Sequence, residues 1–153
     1  MTTISLTSIA KGTIAFGSVN AAVNASIAWG TKFISQIPTQ DIIPALIAAP
    51  IHSFISSIVG AGMRTLGKDL IINYFLNGKQ HPDKEEQAEA DKNYLIIARI
   101  TYLSVATLVT VITLPKMASL VHKTISYKEA LAFAMIDTFA TLFAVYVLTR
   151  INS

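Results

Sequence analysis

The chain has 153 residues, of which 52% are apolar and 14% charged, with a mean hydropathy of +0.54 and a net charge of +3. A soluble domain usually carries about 25% charged residues, and a chain this short buries only about 70% of its unfolded surface, so this composition favours a lipid solvent over one hidden core. The basic residues are scattered, which argues against nucleic-acid binding. The lack of cysteine excludes disulfides, thiolate metal sites and Cys nucleophiles.

The charged residues divide the chain into bilayer-length pieces. A helix rising ~1.5 Å per residue needs about 20 residues to cross a ~30 Å hydrocarbon layer. Residues 12–31, between Lys11 and Lys32, carry no charge. This segment is the most polar of four, with Ser18, Asn20, Asn24 and Ser26, and its insertion is expected to depend on partners. Its Gly17, Ala21 and Ala25 form a small-xxx-small repeat.

The second segment, 42–63, is also uncharged. Asp41 is expected to cap it, Pro44 sits in its first turn where the missing N–H costs little, and Pro50 predicts a bend. Ala45, Ala49, His52, Ser56 and Gly60 recur at steps of three and four, on one helix face.

The connection 64–92 reads as a long, partly solvated loop. An apolar piece, 70–76, suits the interface, and Asn77-Gly78 marks a stop. The acidic run from Asp83 contains good helix formers. It is expected to continue into the third span as one helix over 83–114, closed by Pro115. Arg99 is the only charge between Asn93 and Pro115. It heads a stripe of Tyr102, Ala106, Thr110 and Thr113, and its side chain can snorkel toward the headgroups.

The connection 116–127, with Lys116, His122 and Lys123 among apolar residues, suits an interfacial turn. Ser126-Tyr127-Lys128-Glu129 is a capping box opening a fourth helix over 127–149. There Ala130, Ala134, Asp137, Thr141 and Ala144 share a face, opposite Phe133, Ile136, Phe139, Phe143 and Val147, which suit lipid.

The sequence therefore specifies one all-α membrane domain of about four transmembrane helices. In lipid, helices associate by close packing and interhelical hydrogen bonds, so small and polar stripes mark buried seams. Such seams point to a non-enzymatic scaffold or accessory subunit that associates with other membrane proteins or with itself. The alternative is a small channel, transporter or holin-like pore. Its polar intramembrane site would comprise His52, Asp137, Arg99 and Thr141, because an ionisable group at membrane depth needs an account. An Arg99–Asp137 salt bridge is disfavoured, since the two attachment points differ in depth by roughly 9 Å. No nucleotide-binding, metalloprotease or serine-hydrolase motif occurs, and no cofactor or metal is expected. Seven of the Lys and Arg residues lie in the termini and the 64–92 connection, against four in or immediately beside the other two connections. By the positive-inside rule the termini and that connection are cytoplasmic.

Overall fold

The computed structural model describes residues 6–35 and 42–151, and all the regular structure among them is helical. Helix α1 covers Leu6–Ser35, α2 Ile42–Leu70, α3 Lys84–Ser119 and α4 Tyr127–Ile151. Three pieces are long and apolar enough to cross a membrane: Ile43–Phe75, Lys84–Leu120 and Tyr127–Val147. These correspond to the second, third and fourth spans read from the sequence. Asp41, the cap expected for α2, lies outside the described residues.

Close approaches between small residues fix the topology. Gly12 lies opposite Ser57 and Gly17 opposite Ser53, so α1 runs antiparallel to α2. Gly60 lies opposite Tyr102 and Gly67 opposite Tyr94, which makes α2 and α3 antiparallel. Thr107 meets Thr138 across α3 and α4, and Thr141 of α4 returns to Asn20 of α1. The result is an up-down-up-down four-helix bundle. Across its diagonals α2 touches α4, whereas α1 and α3 make no contact among the described residues.

The seams read on α2 and α4 face the interior. Ala45, Ala49, His52, Ser56 and Gly60 are all buried, as are Ala130, Ala134, Asp137, Thr141 and Ala144. On α3 the buried line differs from the expected stripe. It runs through Ala98, Leu103, Ala106, Thr110 and Leu114, whereas Arg99, Tyr102 and Thr113 are half-buried. A leucine can be core there because its neighbours are small: Leu114 packs against Ala48 and Ala130. On α1, Gly17, Ala21 and Ala25 are half-buried, and Asn20 is the fully buried residue. The outer surface is strongly apolar. Ile100, Leu108, Phe139 and Phe143 are each at least 60% exposed. At about 25 cal/mol per Å² such surface is costly in water and costs nothing in lipid. Of the lipid face expected on α4, Phe133, Ile136 and Val147 are instead half-buried, and Phe133 packs on the Ala48–Leu114–Ala130 cluster.

Two connections depart from expectation. The long loop 64–92 is largely helical. Helix α2 continues to Leu70 and then through a π-helical turn, Ile71–Phe75. Gly67 permits this extension to pack, because a Cβ there would come within 2.8 Å of the Tyr94 ring. The Tyr94 hydroxyl donates to the Met63 carbonyl. The chain stops at Asn77-Gly78 as expected, both with positive φ, and the Gly78 N–H donates to the Ile72 carbonyl at 2.8 Å. Asp83 then caps α3 in a full capping box with Glu86. Glu86 also pairs with Lys79 at 2.6 Å, which raises the pKa of that amine.

The second departure is at Pro115, which does not end α3. The helix runs on to Ser119. A proline forfeits one backbone bond, and a bundle that holds Leu114 and Ala118 fully buried compensates for it. Pro50 is likewise inside α2, which continues unbroken past it. The capping box at Ser126 forms as read, with Glu129 N–H donating to Ser126 Oγ and Ser126 N–H donating to Glu129 Oε2.

Candidate functional site

Midway along the bundle all four helices contribute to one buried polar layer. Asn20 of α1 donates from Nδ2 to Ser53 Oγ of α2 at 3.1 Å and to Thr141 Oγ1 of α4 at 3.1 Å. Thr141 donates back to Asn20 Oδ1 at 3.2 Å. One asparagine thus ties three helices together.

A second cluster lies beside it. Thr138 of α4 has one hydroxyl proton, and it goes to the Ala134 carbonyl at 2.9 Å. Its oxygen therefore accepts from both neighbours: the Thr107 hydroxyl of α3 at 2.8 Å and His52 Nε2 of α2 at 3.0 Å. That assigns the histidine proton to Nε2 and leaves Nδ1 facing Ser56 Oγ, 3.5 Å away. His52 is fully buried.

The four residues singled out from the sequence separate into two levels. His52, Asp137 and Thr141 belong to the central layer and are fully buried. The His52 ring reaches Thr138, the neighbour of Asp137. Arg99 is elsewhere, eight residues before Thr107 on α3 and therefore about 12 Å along the axis.

Arg99 belongs to a cationic level at one end of the bundle. Lys11 lies nine residues from Asn20, Arg64 twelve from His52 and Arg150 twelve from Thr138. Each helix thus supplies one cation about 12–18 Å from the central layer, close to the half-thickness of a ~30 Å hydrocarbon core. Arg150 stacks over the Tyr146 ring with 5.5 Å to its centroid. Lys116 and Lys128 lie nine and ten residues away on the other side. The polar layer is therefore centred between two basic belts.

At the cationic end the gap between α1 and α3 opens into a cavity of roughly 360 Å³. Gly12 and Phe16 line it from α1, Ser56, Ser57, Gly60 and Arg64 from α2, Arg99 and Tyr102 from α3, and Val145 from α4. No carboxylate lines it. The ion pair Lys79–Glu86 joins the 76–83 turn to the first turn of α3, away from the cavity.

Comparison with protein-family models, curated proteins and solved structures finds no match to this chain. Function therefore rests on the geometry itself. Among the described residues no group of three His, Asp or Glu side chains converges as a metal site would require.

Sequence reasoning named Asn20 only among the polar residues of the first segment, and passed over Ser53, Arg64, Thr107 and Thr138. The signal for Asn20 was present, since an amide in an uncharged span must find partners at membrane depth. Ser53 and Thr138 gave no such signal, because each sits one position off its stripe and its role depends on how the helices rotate.

Proposed function

We propose that this chain is a non-enzymatic integral membrane protein acting as a scaffold or accessory subunit, with α1 crossing the bilayer beside the other three helices. One observation carries the reading. Two of the mid-depth polar side chains are engaged as ties between helices, Asn20 to Ser53 and Thr141, and His52 to Thr138, which Thr107 also meets. Interhelical hydrogen bonds of this kind contribute about 0.6 kcal/mol each on average, up to ~1.7. They hold in place a helix that is polar by membrane standards.

The small-residue seams of α2 and α4 close within the chain, and the exposed apolar faces of α3 and α4 are the surfaces this reading assigns to partners or further copies. The membrane sidedness follows the positive-inside rule, with termini and the 76–83 turn cytoplasmic.

The test is paired. Purified protein in liposomes should give no proton or ion flux above empty vesicles. A photo-crosslinking side chain at Ile100 or Phe143 should capture a defined protein band in its native membrane, and one at Ala134 should not. Flux that depends on pH and disappears in His52→Ala or Asp137→Asn would overturn the scaffold reading in favour of a small channel or transporter.

A further inference from the structure

We propose that the cavity between α1 and α3 binds the phosphoryl headgroup of an anionic membrane lipid. The first support is charge. Arg64 and Arg99 border one cavity with no carboxylate in its lining, and among the described residues neither forms an ion pair. A guanidinium presents a planar fork matched to phosphate oxygens, and such pairs are among the stronger hydrogen bonds.

The second support is a hydroxyl without a partner. Serines and threonines in helices commonly donate to the carbonyl four residues back. On α2, Ser53 does so to Ala49 at 2.7 Å and Thr65 to Ala61 at 3.0 Å. Ser57 lies between them and does not. It is 94% buried, lines the cavity, and its Oγ has no hydrogen-bond partner among the described residues. A buried polar atom without a partner is unfavourable, and a ligand in the cavity would supply one. Gly12 keeps the space open, since a Cβ there would lie 2.9 Å from Ser57 Oγ.

Depth argues for a lipid as the source of the phosphoryl group. The two guanidiniums sit about 12–18 Å from the central layer, where headgroups begin. Phe16, Leu95 and Val145 add an apolar wall for the start of the acyl chains. Basic pockets between transmembrane helices are a recurrent setting for anionic headgroups.

The test titrates phosphatidylglycerol and phosphatidylcholine against the full chain in detergent, with bound lipid read by native mass spectrometry. Phosphatidylglycerol should bind about tenfold more tightly, and Arg64→Gln and Arg99→Gln should each remove about that factor. Ser57→Ala should weaken binding severalfold without lowering the melting temperature, and Arg64→Lys should fall between wild type and Arg64→Gln. Lys68→Gln and Arg150→Gln, which alter cations outside the cavity lining, should leave binding unchanged. An equal loss in those two variants, or no preference for phosphatidylglycerol, would overturn the proposal. If inorganic phosphate or glycerol phosphate displaces the lipid at comparable concentrations, the site takes a free anion and the lipid assignment fails.

Discussion

Ser53 and Ser57 sit one turn apart on the same side of α2, and they are used differently. At Ser53 the hydroxyl donates to a backbone carbonyl and accepts from Asn20, so nothing is left over. At Ser57 the hydroxyl is buried and unmatched in the lining of a cavity that Arg64 and Arg99 also border. The wider regions differ in the same way. The central layer is tied by bonds among all four helices, whereas the cationic end leaves donors facing a gap where α1 and α3 stand apart. Polar groups in a membrane interior are therefore not one category. Those already satisfied hold the fold together, and those without partners mark where something else binds.

The contrast is broken most severely at Asn20. Asn20→Leu removes the ties to both Ser53 and Thr141 and should cost about 1–2 kcal/mol, from typical interhelical bond strengths. Reversible unfolding in mixed micelles would measure it, and α1 should become the helix most open to proteolysis. Next comes Thr138→Val, which withdraws the acceptor shared by His52 and Thr107 and should cost about 1 kcal/mol by the same assay. The smallest effect sharpens the comparison most. Ser53→Ala should destabilise by a few tenths to about 1 kcal/mol, whereas Ser57→Ala should be neutral or slightly stabilising, because it deletes a polar atom that had no partner. Equal losses at the two serines would erase the distinction between the regions.

Much of the architecture was legible in the sequence because each helix carries its own signals. Runs near twenty residues long with at most one charge set the spans, Ser126 and Glu129 opened α4, and Asn77-Gly78 stopped the extension of α2. The stripes on α2 and α4 marked the interior because alanine and glycine allow close approach whichever helix faces them. The stripe on α3 misled because an antiparallel neighbour rich in alanine can accept a leucine, so residue size alone did not mark the buried side. The extension of α2 was hidden for a similar reason. Residues 64–76 mix charge with apolar side chains, and what keeps them helical is Tyr94 lying over Gly67, a contact across 27 positions of sequence. The polar layer was legible only in part. His52, Asp137 and Thr141 stood out by type and depth, whereas Thr107, Thr138 and Ser53 acquired meaning only once helix rotation was known. Arg64 gave no signal of its own because Arg99, which lines the same cavity, comes from another helix.

The joined ends of α2 and α3 have a mechanical consequence. Beyond Arg64 the second helix rises eleven more residues to Phe75, about 16 Å, and the third descends beside it from its cap at Asp83. With Tyr94 bonded to Met63 and the turn held by Asn77 and Gly78, this pair forms a short braced extension at one end of the bundle. Its exposed tip around His81 is coupled to the bundle through that brace. A probe attached there would therefore report both the sidedness of the protein and its inclination in the membrane.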